Sequence, residues 1–253
     1  MHLRKTALLI MTFYATFAMS QTKIIAHRGY WDTKGSAQNS ITALLKADSL
    51  GIYGSEFDVR VSKDSVLVIN HDPGIWGHNV AHTSAKVLTS LKLKNKEPLP
   101  TLIDYFEAAR PLSTKLILEL KELESQEMES YAIEKILELV KEYQYEDRIE
   151  FISFSLHAIK EMVQKAPDIP TYYLKGELSP QELKEIGCTG PDYHYNVFLK
   201  NPNWIRECHE LGLKVNTWTV NKEKEMKQLI ELGVDFMTTD KPSLLRDLLE
   251  KTP

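Results

Sequence analysis

The chain has 253 residues, of which 43% are hydrophobic and 26% are charged, and its formal net charge at pH 7 is −4. These proportions are ordinary for a globular protein and exclude a disordered or fibrous chain. The length suits one large domain. No cluster of basic residues is dense enough to bind a nucleic-acid backbone, so we expect no nucleic-acid partner.

The beginning of the chain differs in composition from the rest. Arg4 and Lys5 precede an uncharged apolar run, and the residues "AMS" before Gln21 suit cleavage by a signal peptidase. The alternative is an N-terminal membrane anchor that is retained, but the apolar run is short for a bilayer. We therefore predict a signal peptide over residues 1–20 and an exported mature domain over residues 21–253. That domain is expected in the periplasm or outside the cell, without stable membrane insertion.

From residue 23 onward one unit recurs, in which a short β-branched or aromatic run is followed by an amphipathic helix and a glycine. The helices in "SITALLKADSLG" and "SPQELKEIG" stop at Gly51 and Gly187, the usual place for glycine after a last helical turn. The runs are "IIAH", "SEFDV", "LILEL", "IEFIS", "TYYL", "DYHYN", "VNTWT" and "DFMTT". Eight strands alternating with helices predict an α/β fold, a (β/α)8 TIM barrel. An open doubly wound sheet is the structural alternative.

Two segments lie outside this repeat. The run "VLVIN" at 66–70 follows the second strand after a tight turn, which predicts an antiparallel hairpin partner. Residues 73–100 are rich in glycine, proline and mixed polar residues and have weak periodicity. We interpret them as a small insertion after the second strand, over one end of the barrel.

Polar side chains gather where the predicted strands end, and that end of a TIM barrel is where functional sites lie. These residues are His27 and Arg28 after the first run, Glu56 and Asp58 in the second, His71 and Asp72 after the hairpin partner, and Glu119 and Lys121 in the third. Residues two apart on a strand point to the same side, so Glu56 and Asp58 project together. Such a pair more often faces solvent. Here the apolar residues beside the acids can face the helices, which leaves the acids inside the barrel.

Three of these side chains, Glu56, Asp58 and Glu119, are predicted metal ligands. Carboxylates close together in a partly buried place repel one another unless a cation lies between them. Carboxylate oxygens, completed by water and substrate oxygens, form a hard site that suits Mg²⁺ or Ca²⁺. The sequence therefore predicts one divalent cation, Mg²⁺ or Ca²⁺.

The remaining polar residues indicate the ligand and the chemistry. Arg28 and Lys121 add positive charge beside the metal, which favours an anionic ligand such as a phosphate ester. His27 and His71 supply what hydrolysis of a phosphodiester needs, a group that takes a proton and a group that gives one. A single histidine is more often structural, but two beside the same acids favour catalysis.

The order and spacing of these motifs resemble the glycerophosphodiester phosphodiesterase family across nearly the whole mature chain. The segments concerned are "IIAHRGY", "QNS", "SEFDVRVSKDSVLVINHD", "LPTL", "LILELK", "VNTWTVN" and "GVDFMTTDKP". The resemblance implies a TIM barrel, a divalent cation and a small-molecule substrate, a glycerophosphodiester hydrolysed to glycerol 3-phosphate and an alcohol such as choline or ethanolamine. It implies that His27 and His71 are the acid/base pair, that Arg28 and Lys121 contact phosphate, and that Glu56, Asp58 and Glu119 bind the metal.

Two further positions matter for the substrate. In the family a tryptophan at the place of Trp218 stacks against the glycerol, while simple core packing is the alternative for this residue. The family usually has Glu-Asn-Thr after its first loop, whereas this chain has Gln38, Asn39 and Ser40. Glutamine keeps the length and hydrogen-bonding capacity of glutamate but loses its charge.

The charge lost at Gln38 leaves two functional alternatives. One is an exported protein that binds a phosphate ester without cleaving it. The other is a phosphodiesterase that acts on lysophospholipids, which an exposed apolar surface around "GIWGHNV" would support.

Overall fold

The structure is a computed structural model that describes residues 21–251, so the signal peptide predicted for residues 1–20 lies outside the described residues. Its strands are β1 Lys23–Ala26, β2 Gly54–Val61, β3 Leu67–Ile69, β4 Gly74–Ile75, β5 His78–Asn79, β6 Lys115–Leu120, β7 Ile149–Ser153, β8 Thr171–Tyr173, β9 Gly190–His194, β10 Asn216–Trp218 and β11 Phe236–Thr239. Its α-helices are α1 Ile41–Ser49, α2 Ala85–Leu88, α3 Leu102–Ala109, α4 Gln126–Tyr143, α5 Leu156–Lys165, α6 Pro180–Ile186, α7 Tyr195–Lys200, α8 Asn203–Glu210, α9 Glu223–Leu232 and α10 Pro242–Lys251.

Eight parallel strands close into a barrel in the order β1-β11-β10-β9-β8-β7-β6-β2. The barrel is closed because β1 pairs in parallel with both β11 and β2. Closure excludes the open doubly wound sheet, which would leave two edge strands. The predicted (β/α)8 TIM barrel is therefore confirmed.

Outside the barrel, β3 pairs antiparallel with the end of β2, with Val59 opposite Ile69, as the run at 66–70 predicts. Residues 73–100, the predicted insertion, contain the two-stranded hairpin of β4 and β5, a 3-10 turn at Val80–His82 and the short helix α2. Val80, Leu88 and Leu99 of this segment pack with Val68 of β3 in a small apolar cluster.

Strand β2 alternates between the two sides of the barrel wall. Phe57 faces outward, where its ring stacks on Tyr105 of α3 with 4.3 Å between centroids. Its neighbours Glu56 and Asp58 therefore project into the barrel, and both are buried. The acid pair could face solvent or the barrel interior. Outward packing of Phe57 places it in the interior.

Local sequence signals place the helix ends. Ser179 and Glu182 form the capping box of α6, and Thr101 and Asp104 form another at the start of α3. Helix α6 ends at Gly187, whose φ of 86° is the left-handed conformation that glycine adopts without strain.

Whether Cys188 and Cys208 form a disulfide is not decided by the sequence. In the structure both are buried and both are free thiols. Among the helices of residues 21–251, none has the length and apolar composition needed to cross a membrane.

Gly29, in the loop between β1 and α1, allows this loop to approach the helix closely. Its φ is +76°, and a Cβ added there would lie 2.6 Å from the Cβ of Ala43. Replacement by alanine therefore combines left-handed backbone strain with a steric clash. We expect Gly29→Ala to lower the free energy of unfolding by about 3 kcal/mol, measured by urea denaturation.

Gly35 is the matched control, because it has a φ of +78° but no atom within 4 Å of an added Cβ. Gly35→Ala tests backbone strain alone, and we expect a loss of about 1 kcal/mol. Equal losses in the two variants would contradict the close contact at Gly29.

Candidate active site

Three buried carboxylates meet at the carboxyl end of two neighbouring strands. Glu56 and Asp58 come from β2, and the parallel register places Asp58 beside Glu119 of β6. One oxygen of each carboxylate lies within 4.8 Å of the others. The structure thus brings together the three residues predicted to be metal ligands.

Burial and mutual repulsion govern the charge of these acids. Burial, followed by the charges of Asp58 and Glu119, raises the pKa of Glu56 well above its ordinary value. Burial and Asp58 likewise raise the pKa of Glu119, although Lys121 opposes them. The pKa of Asp58 is lowered despite its burial, because Lys121, His71 and Arg28 stabilise its charge.

The acids fit a divalent cation. Oε1 of Glu56 is buried and has no hydrogen-bond partner among the described residues. A buried carboxylate oxygen without a partner is costly, and a cation would remove that cost for the whole group. Three carboxylates supply the hard oxygen ligands that Mg²⁺ and Ca²⁺ prefer.

Arg28 is held against the acids by its own backbone. Its φ is +55°, a conformation that a residue other than glycine rarely adopts. In this conformation its N–H donates a 2.6 Å hydrogen bond to Oε2 of Glu56, and its Nε lies 3.7 Å from Oδ2 of Asp58. The guanidinium also donates to Oε1 of Gln38 at 2.9 Å. Gln38 therefore partners Arg28 through a neutral amide.

Lys121, directly after β6, and Asn39, in the loop before α1, also contact the acids. The Nζ atom of Lys121 lies 2.6 Å from Oε1 of Glu119 and 3.3 Å from Oδ1 of Asp58. Asn39 donates from Nδ2 to Oδ2 of Asp58 at 2.8 Å and accepts the N–H of Asp58 through Oδ1. Asn39 is a functional residue that the sequence did not predict. Its signal was the "QNS" motif and the tolerance of asparagine for left-handed backbone, here a φ of 61°.

Each predicted catalytic histidine has its Nδ1 atom beside a carboxylate. His27 lies 2.8 Å from Oδ1 of Asp240, and His71 lies 2.7 Å from Oδ1 of Asp72. Such contacts fix the ring and leave Nε2 for proton transfer. Burial, with Lys121 contributing, lowers the pKa of His71, although Asp58 opposes this shift.

Asp240, directly after β11, connects the last strand to the loop that follows its neighbour β1. It accepts hydrogen bonds from Trp31 Nε1 at 2.9 Å and from Asn221 Nδ2 at 2.7 Å, and it also contacts His27. Burial alone would raise its pKa, but these partners lower the pKa of Asp240 to about 2. It is therefore ionised and orients His27. The motif "TTDKP" by itself favours a residue that braces the barrel mouth or caps the last helix over one that reacts.

Aromatic side chains form the opposite side of the barrel mouth. Trp218, at the end of β10, packs edge to face on Phe154 and on His194, with centroids 5.5 Å and 5.2 Å apart. Its indole N–H donates to the carbonyl of Asp192. Lys121 Nζ lies 5.8 Å from the centroid of Phe154, which joins this aromatic wall to the acids.

Comparisons with known proteins agree with this geometry. The sequence model described as the glycerophosphoryl diester phosphodiesterase family matches residues 27–244. A glycerophosphodiester phosphodiesterase of Caldanaerobacter subterraneus subsp. tengcongensis is 29% identical over 247 residues, which are 91% of this chain and 99% of the relative.

Two solved structures are similar over nearly their whole length. The crystal structure of a glycerophosphodiester phosphodiesterase from Parabacteroides distasonis has a TM-score of 0.90 and 45% identity, covering 91% of this chain and 97% of the other. A phosphodiesterase of Oleispira antarctica, solved in complex with the product sn-glycerol-3-phosphate, has a TM-score of 0.80 and 26% identity, covering 91% and 98%. On the extent of these matches, the chain belongs to the glycerophosphoryl diester phosphodiesterase family.

Proposed function

We propose that the chain is an exported phosphodiesterase that uses one divalent cation to hydrolyse glycerophosphodiesters to sn-glycerol 3-phosphate and an alcohol. One observation carries the proposal, the meeting of Glu56, Asp58 and Glu119 beside two cationic side chains at the carboxyl end of the barrel. The Oleispira antarctica relative, with sn-glycerol-3-phosphate as its product, supports this choice of substrate class.

In this proposal Glu56, Asp58 and Glu119 hold the cation, Mg²⁺ or Ca²⁺. When bound, the cation supplies positive charge that offsets the charge developing on phosphate oxygens during hydrolysis. Arg28 and Lys121 bind and orient the phosphate. Arginine offers it a planar fork of donors and lysine a compact charge. Because Gln38 is neutral, it adds no negative charge beside this guanidinium, which forms an ion pair with Asp58.

His27 and His71 are the proposed acid/base pair. One takes the proton of the attacking oxygen while the other gives a proton to the oxygen of the leaving alcohol. Asp240 and Asp72 hold the rings through Nδ1, which supports transfer at the Nε2 atoms. In this scheme Trp218 lies against the glycerol, on the far side of the phosphate from the insertion.

A direct test follows product formation with the purified protein. We expect release of glycerol 3-phosphate from glycerophosphoethanolamine, loss of this activity after treatment with a chelator, and recovery with Mg²⁺ or Ca²⁺. Activity that survives thorough removal of divalent cations would contradict the role of the three acids.

The same assay separates the two alternatives. Tight binding of an intact diester in isothermal titration, without product after long incubation, would support a binding protein. Release of lysophosphatidic acid from lysophosphatidylcholine, faster than any reaction with the smaller diesters, would support a lysophospholipid substrate.

The role of His71 is tested by substitution. His71→Ala removes one of the two proton-transfer groups, and we expect kcat to fall by about 10² to 10⁴. His82→Ala is the control, because His82 is an exposed histidine of the insertion whose ring contacts Glu124. Thermal unfolding of both variants should match the wild type. Comparable loss of kcat in the two variants, or full activity without His71, would contradict the assignment.

Export is proposed from residues 1–20 alone, with a mature chain of residues 21–253. The basic start, the apolar run and the small residues before Gln21 support it. We expect the protein in the native host to be found outside the cytoplasm, with a mass that corresponds to a chain beginning at Gln21. A cytoplasmic protein that retains its first 20 residues would contradict export.

A further inference from the structure

A pocket of about 660 Å³ lies between the loop that follows β1 and the insertion. Trp31 and Gln38 line it on one side, and Ile75, Trp76 and Leu93 line it on the other. His71 and Asn39 also line it, and since Asn39 binds Asp58 directly, the pocket reaches the acid cluster at its inner end. The proposed function does not yet use this space.

Trp76 is presented to the pocket by a strained turn. It lies with Gly77 at the tip of the hairpin of β4 and β5, and the two residues have φ values of 48° and 82°. Two left-handed residues in a two-residue loop form a type I′ turn, in which asparagine or glycine is usual and a bulky residue is disfavoured. The residue is nevertheless 60% exposed. Neither burial nor turn preference accounts for a tryptophan here.

Both tryptophans of the pocket have their indole N–H groups occupied. Trp76 donates to the carbonyl of Lys92 at 2.7 Å, and Trp31 donates to Asp240 at 2.9 Å. What remains for a ligand is the face of each ring, with the aliphatic side chains of Ile75 and Leu93 beside them. Such a wall suits a group that carries positive charge but no hydrogen-bond donors.

A trimethylammonium group has this chemistry, because its charge is spread over methyl groups that need no acceptors. A primary ammonium would need three acceptors, which ring faces do not provide. The exposed carboxylate of Asp72, beside His71, adds negative charge to the pocket. Lys34 and Lys94, which also line it, are exposed, and their charges oppose a cation at the outer rim.

The position of the pocket assigns it to one side of the phosphate. Trp218 lies at the end of β10, and Phe154 directly follows β7. The pocket is built by the loops that follow β1 and β3. In the closed order of strands these two groups lie across the barrel mouth from each other. With the phosphate between them and glycerol on the Trp218 side, the other substituent of the diester lies in the pocket.

We propose that this pocket binds the leaving alcohol and that Trp76 favours an alcohol bearing a trimethylammonium group, as in glycerophosphocholine. The inference rests on the proposed function, since it takes the reaction to be hydrolysis of a glycerophosphodiester. Trp76 is here a specificity-determining residue that contacts the substrate without taking part in proton transfer.

The test compares three diesters in the full protein. They are glycerophosphocholine, its uncharged analogue with 3,3-dimethyl-1-butanol as the alcohol, and glycerophosphoglycerol. Hydrolysis of each releases glycerol 3-phosphate, which is the product measured. We expect Trp76→Ala to lower kcat/KM for glycerophosphocholine by about five- to tenfold, with less than about a twofold change for glycerophosphoglycerol. An intermediate loss for the uncharged analogue separates the contribution of charge from that of apolar contact.

Two further variants control the experiment. Trp76→Phe keeps an aromatic face and should retain most of the selectivity. Val87→Ala removes an exposed apolar side chain of α2 that does not line the pocket, and should change no rate. Equal losses for all three diesters in Trp76→Ala, or no loss for any, would overturn the assignment.

Binding of the product alcohol gives a readout that needs no turnover. Choline is titrated into wild type and into Trp76→Ala by NMR or calorimetry, with 3,3-dimethyl-1-butanol as the uncharged comparison. We expect choline to bind wild type more tightly than the uncharged alcohol and to lose about fivefold in affinity in the variant. Absence of this loss would overturn the pocket assignment. A failure of the proposed function appears separately, as the absence of glycerol 3-phosphate from every diester with the wild-type protein.

Discussion

Repulsion among three buried carboxylates is the constraint on which this site depends. Glu56, Asp58 and Glu119 lie too close together, and too far from water, to be ionised without positive charge near them. Arg28 and Lys121 supply part of that charge, and a bound cation would supply the rest. The left-handed backbone of Arg28 has the same origin, because it allows the backbone N–H to reach Oε2 of Glu56. Strain is thus retained where it places a donor on a buried acid.

Closure of the barrel turns distant parts of the sequence into neighbours. The pairing of β1 with β11 brings His27 next to Asp240, 213 positions later in the chain. The pairing of β2 with β6 brings Asp58 next to Glu119 in the same way. The first contact depends on closure, because β1 and β11 would lie at opposite edges if the sheet were open between them, whereas β2 and β6 would remain neighbours. The contact between His27 and Asp240 is therefore a property of the closed barrel, while the meeting of the acids follows from the pairing of two neighbouring strands.

The mouth of the barrel has two unlike sides. The acids, the cations and both histidines lie on or shortly after β1, β2, β3 and β6, while Trp218, Phe154 and His194 form an aromatic wall across from them. A diester has two different substituents on one phosphate, and an asymmetric mouth can distinguish them. Membership of the family accounts for the charged centre. Features of this chain's own insertion, above all an exposed tryptophan on a strained hairpin tip, shape the side that faces the aromatic wall.

The sequence by itself determined the alternation of strands and helices, the capped helix ends and the polar residues at strand ends, because these depend on local spacing and turn chemistry. It also determined the inward pair Glu56 and Asp58, once Phe57 was recognised as an apolar neighbour on the opposite side. Only the tertiary structure decided that Asp240 orients His27, that Asn39 holds Asp58, and that Trp31 and Trp76 face one pocket. Those contacts join residues from separate loops, whose conformations follow from barrel closure and individual backbone angles and leave no periodic signal in the sequence.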